Sequence, residues 1–231
     1  MTETIKTWRA EALTWGRGPR QFEMFLEPTC PYSARAFAKL DETLAAAGSD
    51  NITIKIRLHS QPWHMYSGVI VRCVLAASTL PTGKEAAKAV LAAVAAHREE
   101  FEFTKHCGGP NMDATPKHII ARLEDYSGLM LADAFAIPNL DREIKWHTKY
   151  ARQNGVHASP TFMIDGVVQT DLSSGDMVST GYLAYWQISG PVGATARCSW
   201  RAIGQLTDMR PASLSMTGRS RSAGGRRRGQ H

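Results

Sequence analysis

The sequence contains few cysteines, and no two of them are spaced as Cys-x-x-Cys. Its four cysteines, Cys30, Cys73, Cys107 and Cys198, are widely separated along 231 residues. This spacing excludes a dithiol redox centre built from neighbouring cysteines. In a reducing compartment all four are expected to be free thiols.

Long apolar runs are also missing. No stretch of 18 apolar residues occurs, so we predict no membrane-spanning helix. Residues 1–20 are polar and charged and lack the apolar core of a signal peptide. On these grounds we expect the protein to stay in the cytosol.

Basic charge is scarce outside the C-terminal tail. The net charge is +6, but residues 177–231 hold eight arginines, no lysine and one acid, Asp208. The preceding 176 residues are therefore close to neutral. Because no aromatic residue interleaves with Arg219, Arg221, Arg226, Arg227 and Arg228, a nucleic-acid partner is not expected.

A short apolar run at residues 22–26 is followed by a break and then by Cys30, which predicts a strand, a tight turn and a helix. Pro31 suits the first helical position because its missing N–H would have no partner there. Apolar residues then recur at helical spacing up to Gly48, a residue typical of helix ends. Free N–H groups and the helix dipole favour an anion at such a start, so we expect Cys30 to be largely thiolate at neutral pH.

The rest of the chain predicts a second strand, a helical segment and a hairpin. Residues 52–58 alternate strictly, which predicts a half-buried strand parallel to the first. Helical patterns then fill residues 63–155. Sheet signal returns at residues 159–164, and Asp165-Gly166 predicts a two-residue hairpin turn.

These patterns divide the chain into four parts. We expect an α/β domain formed by residues 20–62 and 156–179, interrupted by an α-helical insertion at residues 63–155. Residues 1–19 form an N-terminal extension. Residues 180–231 lack periodicity, and their composition predicts an irregular, disordered basic tail.

Two segments together resemble the DsbA-like branch of the thioredoxin superfamily. They are Cys30-Pro31-Tyr32-Ser33 and the stretch VHASPTFMIDG at residues 156–166. The resemblance covers roughly residues 20–179 and implies an α/β thioredoxin-like fold with an α-helical insertion. It also implies that the Ser159–Pro160 bond is cis and lies beside Cys30, where residue 159 would pair with an extended thiol substrate.

The chain departs from the family pattern in three ways. Ser33 stands where the family has a second cysteine, so Cys30 has no neighbouring thiol for an internal disulfide. Met24 stands where the bacterial oxidant has a buried acid. The family is mostly secreted, whereas this chain has no secretion signal. Ser33 keeps a hydroxyl that can donate a hydrogen bond to a Cys30 thiolate.

The resemblance implies a monothiol thiol–disulfide oxidoreductase. In that mechanism the Cys30 thiolate attacks a disulfide, and glutathione or a substrate cysteine resolves the mixed disulfide. No cofactor is expected beyond glutathione as a possible co-substrate. The predicted catalytic residues are Cys30 and Ser33, and the predicted substrate-binding residues are Pro31, Tyr32, His64, Ser159 and Pro160.

Two other functions fit the same fold: a glutathione-dependent transferase or isomerase, and a non-catalytic binding module. Cys73 lies in an apolar helical run and is interpreted as a core thiol, with a resolving cysteine as the alternative. His59 and His157 could border Cys30 or simply pack. The His97-Arg98-Glu99-Glu100 and His106-Cys107 segments match no reliable metal-binding spacing, so we predict no metal ligands.

Overall fold

The computed structural model describes residues 10–103, 108–109 and 111–177. The strands in this part are β1 (Thr14–Gly16), β2 (Arg20–Leu26), β3 (Ile52–Leu58), β4 (Thr161–Ile164) and β5 (Val167–Gln169). The α-helices are α1 (Pro31–Ala38), α2 (Leu40–Ala47), α3 (Ser67–Ala77), α4 (Lys84–Ala96), α5 (Pro116–Ser127), α6 (Ala132–Phe135) and α7 (Leu140–Gln153), with a 3₁₀ turn at Arg98–Phe101. The predicted tail at 180–231, Cys107 and Cys198 lie outside the described residues.

The strands form a five-stranded sheet in the order β1-β3-β2-β4-β5. The parallel pairing of β2 with β3 was predicted from the strand–helix–strand pattern and is confirmed. The hairpin between β4 and β5 is confirmed as well: Asp165 and Gly166 both have positive φ, at 47° and 83°. β1, which pairs antiparallel with β3, was not predicted because three residues are too short for a periodic signal.

The helix predicted after Cys30 is divided in two. Helix α1 ends at Ala38, and the backbone N–H of the next residue, Lys39, bonds to Ala36 O at 3.1 Å in the tighter 3₁₀ manner. Helix α2 follows at once and ends at Gly48, as the sequence indicated. No proline or glycine lies at the junction of α1 and α2, so the sequence did not predict a break between them.

All of the longer helices between the second and third predicted strands lie where the periodicity placed them. Helix α5 starts at Thr115, whose side chain accepts from His118 N while the His118 ring accepts from Thr115 N. This reciprocal pair is a capping box, which satisfies two of the helix's unpaired N–H groups. Within the described residues, no helix is long and apolar enough to cross a membrane.

The inner face of the sheet is lined mainly by apolar side chains. The four predicted inward side chains of β3 are each no more than 1% exposed, namely Ile52, Ile54, Ile56 and Leu58. Phe162 of β4 stacks on Phe22 of β2 with ring centroids 5.7 Å apart. These contacts hold β2, the strand that leads to Cys30, at the centre of the sheet.

The other face of the sheet carries a buried ion pair. Arg57 of β3 donates through Nε to Glu23 Oε1 at 2.7 Å, and Tyr150 of α7 donates to Glu23 Oε2 at 2.8 Å. The guanidinium lies over the rings of Trp146 and Tyr150, 4.7 and 4.9 Å from their centroids. Alternation alone predicted a solvated Arg57, but helix α7 covers this face.

Arg57→Met should lower the free energy of unfolding by about 3 kcal/mol, because it leaves the Glu23 carboxylate buried without its cation. The double variant Glu23→Gln/Arg57→Met should lose less than the single variant. Urea unfolding at neutral pH measures both. Arg17→Met is the control, because Arg17 pairs with Asp50 in the open and its loss should leave the midpoint unchanged. Equal losses in the single and double variants would contradict the prediction.

Candidate active site

Cys30 lies where strand β2 passes into helix α1. Its backbone is extended (φ −67°, ψ 127°), and it occupies the N-cap position with Pro31 as the first helical residue. Its N–H donates to Glu27 O at 3.1 Å, which closes the turn, and its carbonyl accepts from Ala34 N at 2.9 Å. The sulfur therefore lies at the positive end of the helix, as the sequence predicted.

The loop that precedes β4 lies next to Cys30, because β4 is the neighbour of β2 in the sheet. The Ser159–Pro160 bond is cis, and Cys30 Sγ donates to Ser159 O at 3.5 Å. The two residues are separated by 129 positions along the chain. Cys30 is buried, with 6% of the residue exposed, and its hydrogen bond holds the sulfur against the loop.

The Ser33 hydroxyl is hydrogen-bonded to the backbone of Glu27, whereas the sequence suggested the Cys30 sulfur as its partner. Its hydroxyl oxygen accepts from Glu27 N at 3.3 Å, and the residue is almost fully buried. This contact ties the first turn of helix α1 to the end of strand β2. The hydroxyl proton is not used in this bond and stays available as a donor.

Large side chains surround the turn on its open side. Tyr32 is 57% exposed, and the Arg35 guanidinium lies 5.7 Å from its ring centroid. His64 reaches Thr29, the residue before Cys30, with 3.0 Å between Nδ1 and Oγ1. Its neighbours Trp63 and Met65 are 69% and 60% exposed. The sequence predicted that the segment containing Trp63 could border Cys30, with a packed tryptophan as the alternative, whereas Met65 was not predicted to contact substrate.

His59 and His157 lie on the two chain segments that meet next to the cis-proline loop. His59 follows β3, is buried, and has its pKa lowered by that burial. Gln61 Nε2 donates to His157 O at 3.1 Å, which fastens the cis-proline loop to the segment after β3. His157 itself is exposed. The structure therefore brings the predicted residues of both segments to one place.

Cys73 is a core thiol. It is fully buried in α3, and burial raises its pKa to about 12. A thiol of that kind is almost entirely protonated at neutral pH and is a poor nucleophile. The interpretation of Cys73 as a resolving cysteine loses its chemical basis.

The suspected metal segment has other contacts. The His97 ring stacks on Tyr126 with centroids 3.7 Å apart, and Tyr126 donates to Glu100 Oε2 at 2.5 Å. In the ranges that the structure describes, no group of three or more histidines, cysteines or acids is placed to hold a metal ion.

The structure also reveals an acid near Cys30 that sequence reasoning treated only as a strand breaker. Glu27 is fully buried, and its Oε2 accepts from Thr29 Oγ1 at 2.8 Å. Burial raises the pKa of this carboxyl, and the neighbouring His64 and Thr29 act against the rise. An acid between a buried strand and a predicted reactive thiol was the signal that could have found it.

Comparison with known proteins shows which of them this chain resembles. No protein-family model and no curated protein sequence matches the chain. Among solved structures, a candidate protein-disulfide isomerase from Pseudomonas syringae is 68% identical, with a TM-score of 0.74. The match covers 76% of this chain and 98% of that one. The chain belongs to the DsbA-like branch of the thioredoxin superfamily.

More distant structures share the fold of this DsbA-like protein. A thioredoxin-like oxidoreductase from Silicibacter pomeroyi DSS-3 is 18% identical, with a TM-score of 0.55, and covers 78% of this chain and 94% of its own. DsbA from Chlamydia trachomatis is 14% identical, with a TM-score of 0.52, covering 83% and 100%. The predicted α/β thioredoxin-like fold is confirmed.

Proposed function

We propose that this DsbA-like protein is a monothiol thiol–disulfide oxidoreductase that works through a mixed disulfide at Cys30. The observation that supports it best is the position of Cys30 Sγ, which lies at a helix start and 3.5 Å from Ser159 O of the cis-proline loop. Membership of a family with a protein-disulfide isomerase candidate at 68% identity supports thiol–disulfide chemistry in general.

The proposed reaction exchanges one disulfide for another. The Cys30 thiolate attacks one sulfur of a substrate disulfide, forms the Cys30–substrate disulfide and releases the other half as a thiolate. A second thiol, which we propose to be glutathione, then attacks the substrate sulfur of the mixed disulfide. A new disulfide forms between glutathione and the substrate, and Cys30 leaves as its thiolate. Ser33 and the first N–H groups of α1 stabilise the charge on sulfur, and no net oxidant is consumed.

The substrate is proposed to lie along residue 159. The cis-proline loop offers its backbone to an extended peptide, as a sheet edge does, while Tyr32, Trp63 and Met65 provide apolar contact area. Attack requires the Cys30 sulfur to leave its hydrogen bond to Ser159 O, which frees that carbonyl to accept from the substrate backbone.

The test is to trap the mixed disulfide. Incubation with glutathione disulfide should add one glutathionyl group at Cys30, found by mass spectrometry of the peptide containing residue 30. Reduced glutathione should then remove it. If the protein is instead a glutathione-dependent transferase, calorimetry should show tight glutathione binding that persists in Cys30→Ser. No adduct at Cys30 would contradict the proposal.

Ser33→Cys should convert the site to a dithiol centre. Positions 30 and 33 lie one helical turn apart, close enough for a disulfide to form between them. Oxidation by glutathione disulfide should then remove two thiols, and the glutathionyl adduct should no longer accumulate. Ser33→Ala is the matched control and should keep the adduct. Persistent glutathionylation of the Ser33→Cys variant would show that the two sulfurs cannot meet.

A further inference from the structure

Three consecutive carbonyls of the cis-proline loop are held by side chains. In the described part of the chain, none of the carbonyls of residues 157–159 accepts from a backbone N–H. Gln61 Nε2 donates to the first of them, His157 O, at 3.1 Å. Cys30 Sγ donates to the third, Ser159 O, at 3.5 Å. The loop therefore depends on side-chain donors for its position next to the thiol.

The hydrogen bond at Ser159 O is lost when the site reacts. The Cys30 sulfur donates only while it carries its proton, and neither the attacking thiolate nor the mixed disulfide has one. The bond from Thr161 Oγ1 to Ala158 O, at 2.8 Å, is local, because it joins residues three positions apart. In the reacting state, the contacts at His157 O are then the side-chain hydrogen bonds that reach the loop from a distant part of the chain.

Gln61 is itself held firmly in place. The residue is buried, with 4% exposed. Its backbone N–H donates to the hydroxyl oxygen of Ser67, the first residue of α3, at 3.2 Å, and its carbonyl accepts from His64 N at 3.2 Å. The His59 ring also hydrogen-bonds to the backbone of His157. A buried amide on a fixed backbone has little freedom left to lose, so it is well suited to fixing the position of a loop.

We propose that Gln61 is a positioning residue that makes the site selective for peptide disulfides over small disulfides without peptide groups. It holds the cis-proline loop so that the backbone of Ser159 stays aligned with an extended peptide after the Cys30 sulfur has left that carbonyl. This inference deepens the proposed function and rests on it. A loop that is already ordered loses less conformational entropy when a peptide binds along it. A small disulfide does not use the loop backbone and gains nothing from its order.

The experiment compares two symmetrical disulfides, each turned over by the full chain with reduced glutathione. One is the disulfide-linked dimer of a heptapeptide with a central cysteine, and the other is hydroxyethyl disulfide, which has no peptide group. Gln61→Leu keeps the side-chain size and removes the donor. The KM for the peptide dimer should rise about fivefold with kcat unchanged, because the lost hydrogen bond supports substrate and transition state equally. The kcat/KM for hydroxyethyl disulfide should stay unchanged.

Gln169→Leu is the matched control. Gln169 Nε2 also donates to a backbone carbonyl, Val167 O at 2.8 Å, but this bond lies within β5 at the edge of the sheet. Its loss should change neither substrate. A merely structural role for Gln61 would slow both disulfides, since both react at the same sulfur. Equal losses for the two disulfides, or an unchanged KM for the peptide dimer, would overturn the inference.

A second variant covers the case in which Gln61→Leu does not fold. The side chain of Gln61→Asn is one carbon shorter, so its amide falls short of His157 O while the position stays polar. The same rise in KM for the peptide dimer alone supports the inference, and any other result overturns it.

Binding without reaction separates this inference from the proposed function. The same heptapeptide with serine in place of its cysteine forms no disulfide, and calorimetry gives its Kd. That Kd should be about fivefold higher for Gln61→Leu than for the unaltered chain, whether or not the unaltered chain turns over disulfides. Equal affinity, or no binding to either chain, would overturn the inference. Absence of turnover in the unaltered chain would instead remove the proposed function.

Discussion

Replacing Cys30 by serine should reduce thiol–disulfide exchange by about a hundredfold or more, to the rate of the reaction in free solution. The serine oxygen occupies the same N-cap position but cannot form or exchange a disulfide, so the mixed-disulfide step is lost. The measurement is the rate at which the protein, with reduced glutathione, removes glutathione from a peptide that carries it as a mixed disulfide.

Cys73→Ala is the matched control for this variant. Because Cys73 is fully buried and its pKa is raised to about 12, its removal should leave the exchange rate unchanged while it reduces stability. A fall in turnover in Cys73→Ala, with the fold intact, would reinstate Cys73 as a resolving thiol. Unchanged activity in Cys30→Ser would remove the monothiol mechanism and favour the transferase or a binding role.

Acidification should destabilise the fold through His147. This residue of α7 is 6% exposed, and its Nδ1 accepts from Leu58 N at 3.2 Å. Burial, with a smaller contribution from Arg57, lowers its pKa from 6.5 to about 3. Between these two pH values the unfolded chain binds a proton that the folded chain excludes. Stability is therefore unaffected by this group above about pH 6.5 and falls as the pH drops towards 3, by about 4–5 kcal/mol in all.

Urea unfolding at pH 7, 5.5 and 4 tests this effect in the unaltered chain and in His147→Gln. The glutamine amide oxygen can still accept from Leu58 N–H but carries no titratable proton. The variant should be somewhat less stable than the unaltered chain at pH 7. Its stability should then fall much less than that of the unaltered chain as the pH drops below 6. Glu27 acts in the opposite sense, because its raised pKa makes the folded state the stronger proton binder.

The exposed His157 supplies the control for that experiment. His157→Gln should keep the slope of the unaltered chain, since His157 is exposed and not buried as His147 is. If His147→Gln and the unaltered chain show the same decline between pH 7 and pH 4, His147 does not hold its proton affinity down in the folded state, and the prediction is wrong.

The elements that depend on near neighbours along the chain could be predicted. Strand β3 was recognised from strict alternation and the β4–β5 turn from Asp165-Gly166. In each case the backbone preference and the buried face repeat within a few residues. The resemblance of residues 30–33 and 156–166 to one family supplied the long-range pairing of the two segments, which periodicity alone does not contain.

The amino-acid sequence by itself determined that Cys30 begins a helix, because the apolar strand, the break and Pro31 are local signals. Tertiary structure decided which polar groups became buried. The sequence predicted only a strand break at Glu27 and a site role for His64, yet the two side chains meet behind one turn, where His64 also contacts Glu102. Likewise, Arg57 is partly buried and His147 is buried because α7 covers the outer face of β3. Burial depends on what packs against a side chain, and in both places the covering residues are distant in sequence.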